Sequence, residues 1–346
     1  MKSSAKQIAV CMSFCAGVIG IIGIFLWFDM GYLVPAVILI SAIVLLFNII
    51  YHCLVKLAAS KVHLNKWVKL FLSTLVIVIT VFFSVCGFIL LIQDGIIFHH
   101  VYDPDSRKLL QNIPGFSEIE FTADNGRVYH GMMYQAKEGI APLIIYFGGN
   151  AECSYSHMRS REELNQWRFF AGFNYLYVDY DGYGINGGGT SYLNMYEHSL
   201  AVYDYAVSLE NVDSGRIVAM GFSLGTGSAV YLAANRPVTG IILAAPYASG
   251  YDLYNNVLPV FKGPFELLVK QKLPSDIYAQ NVFCPAFIIA SRRDETVPFS
   301  SSQRLSDNLQ GSVDFLEINN VYHNYIFREP GVFDRVQFFL ERIAEQ

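Results

Sequence analysis

Apolar residues change their rhythm along this chain near residue 93. Before it they run in three blocks, Ile8 to Phe28, Tyr32 to Tyr51 and Val68 to Ile92, whose only charge is Lys69, one residue inside the third. Each block matches the roughly 20 helical residues that cross a hydrocarbon core about 30 Å thick. A buried core helix can be as apolar, but three in succession without a polar face predict membrane spans. A cleavable leader fits the first block poorly, because its apolar core is too long and no small-x-small site follows.

After residue 93 the blocks shorten and polar positions interleave. Ser117 to Thr122 and Val128 to Gln135 alternate around Asp124-Asn125-Gly126, which predicts a hairpin. Continuous apolar runs follow at 143–147, 175–178, 217–220, 241–244, 286–290 and 315–318, and these read as buried strands. Helix-compatible stretches fall at 162–171, 192–209, 224–235, 300–309 and 332–343. A leading hairpin and then alternating strand and helix predict an α/β domain, its mostly parallel sheet covered on both faces. The expected division is a membrane domain over 1–93 and an α/β domain over 94–346, with a short cap at about 247–280.

Charge separates the same two regions. Residues 1–93 carry six lysines and one acid, Asp29, for a net +5; the remainder is net −10. An acidic domain is a poor binder of polyanions, so nucleic acid is not an expected partner. Lys2 and Lys6 precede the first block, while Lys56, Lys61 and Lys66 lie between the second and third. The positive-inside rule then places the N-terminus in the cytoplasm and, after three spans, residues 94–346 outside it. The expected location is an integral protein of the plasma or inner membrane. Gly17, Gly20 and Gly23 permit close helix approach, although glycine is common in membrane helices anyway. His52 and His63 read as solvated interfacial residues.

Ligands of parallel sheets bind at the C-terminal ends of strands. After 217–220 comes Gly221-Phe222-Ser223-Leu224-Gly225, a strand, a sharp turn with one serine, and a helix-compatible run. That context makes Ser223 a nucleophile candidate, with glycines leaving room for close packing. After 286–290 comes Asp294, in Asp294-Glu295-Thr296-Val297-Pro298, and after 315–318 comes His323. Serine is a weak nucleophile at neutral pH and needs a base, here His323, with Asp294 orienting the imidazole. Glu295 competes with Asp294 by adjacency, and Asp252 is a weaker substitute. After 143–147 comes Gly148-Gly149-Asn150-Ala151-Glu152. The Asn150 amide, or Gly149 in its place, can meet the Leu224 amide around a developing oxyanion.

On these residues, the chain from about 93 to 346 resembles the α/β-hydrolase superfamily. It is most similar to a membrane-anchored branch with a His-Gly-Asn-Ala loop, an Asp-Tyr-Arg-Gly-Tyr-Gly loop and a Gly-x-Ser-x-Gly elbow. Two positions depart from that pattern: Gly148 stands for the histidine and Asp181 for the arginine. The first is expected to loosen the oxyanion loop, the second to alter charge near the site.

The expected activity is hydrolysis of an ester, thioester or related acyl bond through an acyl-enzyme on Ser223. Alternatives are a peptidase of the same fold and a non-catalytic scaffold. The expected substrate is an acyl or lipid-like small molecule, because Tyr251, Tyr254, Leu258, Phe261, Phe265, Leu267 and Leu268 make the cap apolar. Those residues equally suit ordinary core helices. No cofactor is expected, since neither metal-ligand spacing nor a dinucleotide or Gly-Lys-Ser/Thr fingerprint occurs. Gly187-Gly188-Gly189 reads as a flexible loop. Cys153 and Cys284 sit at opposite ends of parallel strands, so no disulfide is expected between them.

Overall fold

The structure is a computed structural model that describes residues 41–46, 49, 65–170 and 172–345. The first expected span, Gly17, Gly20, Gly23, His52 and His63 lie outside the described residues, as does the second span apart from a helical stretch at 41–46 and residue 49. The third falls within helix α1, Lys66–Ile97. Of this, Lys66–Gly95 is long and apolar enough to cross a membrane, and is the one such helix among the described residues. At 1.5 Å per residue it extends about 45 Å. Trp67, Phe71 and Ile77 are exposed along it. A helix this apolar on every face is stable only in apolar surroundings.

The chain divides into two units at Ile96/Ile97, three residues beyond the boundary expected from hydropathy. The second unit is built on eight strands: β1 Phe116–Thr122, β2 Val128–Tyr134, β3 Ala141–Phe147, β4 Asn174–Val178, β5 Val212–Phe222, β6 Gly240–Ala244, β7 Ala286–Ser291 and β8 Val313–Ile318. They form one sheet in the order β1-β2-β4-β3-β5-β6-β7-β8. The β1–β2 hairpin is antiparallel, β2 pairs antiparallel with β4, and the remaining pairs are parallel. The hairpin turns through Asp124-Asn125-Gly126, where Gly126 takes φ 79°.

Burial on both faces explains why the central strands read as continuous apolar runs. Alternate residues enter opposite cores. Leu143, Ile145 and Phe147 of β3 join Ile217 and Ala219 of β5 on one face. Ile144 and Tyr146 join Val218 and Met220 on the other. The first face is covered by α4 Tyr192–Ala206, α5 Gly225–Asn235, α7 Ser275–Ala279 and α8 Phe299–Asn308. The second is covered by α2 Pro104–Leu110, α3 Ser154–Glu163 and α9 Val332–Ala344. The α9 helix shows the mechanism: Val332, Phe333, Val336, Phe339, Leu340 and Ile343 recur at three- and four-residue spacing and are all buried.

Of the expected helices, one is displaced, and the short helix α2, Pro104–Leu110, was not among those expected. A helix was expected over 162–171, but α3 runs from Ser154 to Glu163 and stops where Asn165 takes a left-handed φ of 48°. A separate 3₁₀ turn, Trp167–Phe170, follows. The polar composition of 154–161 hid the helix, because its buried members are Ser154, Tyr155, His157, Met158 and Arg161 rather than aliphatics. The cap region holds α6 Gly250–Val257, a 3₁₀ turn Gly263–Leu268 and α7. Of its apolar residues Phe261 is buried, whereas Leu267 is 86% exposed. Cys153 and Cys284 are both free.

Candidate active site

Strand β5 ends at Phe222, and the next residue is forced into a turn. Ser223 has φ 49°, a left-handed conformation rare for a residue with a side chain. Its amide donates to Ala244 O of β6 at 2.9 Å, and its carbonyl accepts from the amide (3.0 Å) and hydroxyl (2.6 Å) of Thr226. The strain is thus held from both sides. Gly225 is required by contact: a Cβ there would lie 2.1 Å from Phe147 O and 2.5 Å from Gly148 O. This close approach sets the start of α5 against the end of β3, so the serine turn and the 148–152 loop adjoin.

Two other strand ends complete a relay. His323 opens a 3₁₀ turn after β8, and its Nε2 lies 2.8 Å from Ser223 Oγ. Its Nδ1 lies 2.8 Å from Asp294 Oδ2, in the loop after β7. With Asp294 a carboxylate, Nδ1 carries the proton and donates, and Nε2 is left to accept from the serine hydroxyl. Asp294 Oδ1 accepts from the Thr296 and Val297 amides at 2.8 and 2.7 Å, which fixes the carboxylate plane. Ser223 and His323 are both buried, and the Phe222 ring packs 5.1 Å from the imidazole.

The competing acids are placed elsewhere. Glu295 accepts from the backbone amide of His323 at 3.0 Å, so it steadies the histidine main chain and does not orient its ring. Asp252 bonds Ser301 Oγ at 2.5 Å and pairs with Arg304, away from His323. The cap reaches this side through Asn256, whose side-chain amide donates to the carbonyls of Glu295 and Thr296 at 2.9 and 3.1 Å.

Across from the relay stands the 148–152 loop. Gly149 as an oxyanion donor is corrected: its amide donates to Glu152 Oε2 at 2.7 Å and is committed there. Among the described residues the amides of Asn150 and Leu224 have no acceptor. The Asn150 side chain anchors the loop, with Oδ1 accepting from His99 N (2.8 Å) and Tyr183 Oη (2.9 Å). Gly148 does not loosen the loop as expected. Tyr177 fills the space of a side chain there, its hydroxyl 1.8 Å from where a Cβ would be, and donates to Glu152 O at 3.2 Å. Asp181 is also neutralised: Arg127 Nη1 lies 2.9 Å from its Oδ2. Burial raises the Asp181 carboxyl above its ordinary value, and Arg127 opposes the rise.

Glu152 and its partners were missed by sequence reasoning. Its Oε1 lies 2.8 Å from His157 Nδ1, and its Oε2 also accepts from Tyr146 Oη at 3.1 Å. His157 Nε2 accepts from Tyr175 Oη at 2.9 Å and Arg161 Nε at 3.3 Å. Burial holds His157 below its usual value. Burial alone would raise Glu152, but His157, the Gly149 amide and Arg161 outweigh it and keep the carboxyl low. A glutamate followed five residues later by a histidine is the only trace of this in the sequence, and it is weak. Nearby, Asp179 accepts from Ser154 N and Oγ at 2.6 and 2.7 Å, yet burial raises its pKa to about 7.

No group of three or more metal-ligating side chains occurs among the described residues. A surface depression of about 600 Å³, lined by residues such as Leu316, Asn319, Glu329 and Arg335, contains none of Ser223, Asp294 and His323.

No family model matches the chain. An uncharacterized protein of Mycobacterium tuberculosis is 29% identical over 186 residues, which are 54% of this chain and 64% of that protein. Alpha/beta hydrolase domain-containing protein aho-3 of Caenorhabditis elegans is 26% identical over 176 residues, 51% of each chain. The chain thus spans about half to two thirds of the length of these curated relatives. Among solved structures, the Pyrococcus furiosus esterase Pf2001 superposes with a TM-score of 0.57 at 20% identity, covering 71% of this chain and 96% of that one. An acetyl xylan esterase from Paenibacillus sp. R4 gives 0.53 at 18%, covering 70% and 96%. The second unit therefore has the α/β-hydrolase fold, and Ser223, Asp294 and His323 lie just after the C-terminal ends of β5, β7 and β8.

Proposed function

We propose that the chain is a membrane-anchored serine hydrolase acting on an ester, thioester or related acyl bond. One observation carries the reading: Ser223 Oγ, the His323 ring and the Asp294 carboxylate are joined by two 2.8 Å bonds, with the serine on a strained turn. Esterases among the similar structures support the class of bond. Asp294, His323 and Ser223 are acid, base and nucleophile; the amides of Leu224 and Asn150 are the oxyanion donors.

In the first half-reaction Ser223 Oγ attacks the acyl carbon, and its proton passes to His323 Nε2. The carbonyl π electrons move onto oxygen, where the two amides stabilise the charge. When they return, the bond to the leaving group breaks and His323 protonates that group. Water then repeats the sequence against the acyl-serine, its proton taken by His323, and releases the acid. Asp294 stabilises the imidazolium in both halves.

The apolar surface of α1 supports membrane anchoring, and the lysine distribution supports a hydrolase domain outside the cytoplasm. The partly exposed apolar cap favours an acyl or lipid-like substrate. The test uses the full chain in detergent with a fluorophosphonate probe. The reading expects labelling of wild type and none of Ser223→Ala. A folded wild type that is inert removes the hydrolase reading and leaves the scaffold. A panel of acyl esters against peptide amides separates esterase from peptidase.

A further inference from the structure

We infer that Glu152 is a positioning residue for the oxyanion loop, acting through the Gly149 amide and held in place by His157. The inference rests on the hydrolase reading. The loop presents two successive amides next to the serine turn, and only one can be spared. Glu152 takes the Gly149 amide at 2.7 Å and leaves the Asn150 amide uncommitted. All three groups that meet the carboxylate are donors: Gly149 N–H, Tyr146 O–H and His157 Nδ1–H.

The histidine tautomer is set from its far side. Arg161 Nε can only donate, so His157 Nε2 accepts and the proton sits on Nδ1, facing Glu152; Tyr175 Oη, 2.9 Å from Nε2, is then a donor too. Arg161 is itself fixed, donating to Gln166 Oε1 at 2.6 Å and lying 4.7 Å from the Phe327 ring. A chain of oriented donors therefore runs from Arg161 through His157 to Glu152 and ends at the loop backbone. Only a carboxylate accepts from all three donors; an amide of equal size turns an N–H toward one of them.

Loss of aim at an oxyanion donor acts on the transition state and not on substrate binding. The test is Glu152→Gln in the full chain in detergent, with p-nitrophenyl butyrate as substrate and phenylboronic acid as the transition-state mimic. The boronic acid forms a B–O bond to Ser223 and places an oxygen at the oxyanion position. Expected are a fall in kcat of about 10²-fold, KM within about twofold, and boronate affinity weakened by a comparable factor. A packing role alone moves stability or KM without this pairing. Wild-type kcat and boronate affinity in folded Glu152→Gln overturn the inference, as does a change confined to KM. If Glu152→Gln does not fold, Tyr146→Phe removes one donor more gently. It is expected to lower kcat and boronate affinity about fivefold, and wild-type values overturn the inference. A wild type inert to fluorophosphonate defeats the hydrolase reading itself, whereas a labelled wild type beside an unaffected variant defeats only the role of Glu152.

Discussion

Ser223, Asp294 and His323 stand just after β5, β7 and β8; Asp294 and one side of the serine turn are steadied by neighbours close in sequence, and the rest by single backbone-amide bonds to Ala244 and Glu295. Thr226 holds the serine turn, and Thr296 and Val297 hold the Asp294 carboxylate. The loop at 148–152 is held differently. Its support comes from His157 on α3, Tyr175 and Tyr177 on β4, and His99 before α2. The relay half is a set of local turns that the sheet brings together. The oxyanion half is one polar network, buried at His157, Tyr175 and Tyr177 and reaching the surface at Asn150 and His99, in which each member depends on several others. A substitution in the first should therefore remove a chemical role and leave the fold; one in the second should disturb geometry and stability together.

The largest expected contrast lies within the relay half, between adjacent acids. Asp294→Asn keeps an oxygen for the Thr296 and Val297 amides but turns its N–H toward His323 Nδ1 and forces the wrong tautomer. Ester hydrolysis should fall about 10⁴-fold with an unchanged melting temperature. Glu295→Gln retains an acceptor for the His323 amide and should stay within about threefold of wild type. Equal losses in the two steady-state assays would break the assignment of the acid.

A smaller effect is expected from Gly148→Ala in the oxyanion half. The new methyl would meet the Tyr177 hydroxyl at 1.8 Å, so the ring must move and its bond to Glu152 O is lost. Loss of about 1–3 kcal/mol of stability is expected by thermal unfolding, together with reduced kcat. Full stability with full activity would show that the loop is not held by Tyr177.

A further effect, read on stability alone, is a pH dependence beside the same loop. Asp179 is raised to about 7 in the folded chain from an ordinary 3.8, burial being the cause. Its contribution to stability is fully present below about pH 4 and is lost as pH rises through 7, with an upper limit of about 4 kcal/mol. Asp179→Asn removes that titration. The melting temperature of wild type relative to the variant should drop between pH 4 and 7 and then level off. A constant difference would place the Asp179 carboxyl in its ordinary range.

The contrast also explains what the sequence revealed. All eight strands were legible because sheet burial imposes either alternation or a continuous apolar run, and the elbow because Gly221, Ser223 and Gly225 follow such a run. The order of strand-end residues then singled out Asp294 and His323. The helix at Ser154–Glu163 was not legible, since its buried face carries His157 and Arg161, which pattern reading assigns to solvent. The packing of Gly148 is not legible in the sequence because its partner, Tyr177, lies 29 residues away, inside a strand whose pattern is that of plain core. The commitment of the Gly149 amide was hidden likewise, as a backbone donor has no signature of its own.

The central claim is that Ser223 is the nucleophile of a working relay. Its most direct test is peptide mass mapping of the full chain after reaction with a fluorophosphonate. The account predicts one phosphonylated peptide bearing the adduct on Ser223, absent from Ser223→Ala and strongly slowed in Asp294→Asn. An unmodified Ser223 in folded wild type, or an adduct that persists in Ser223→Ala, would contradict it.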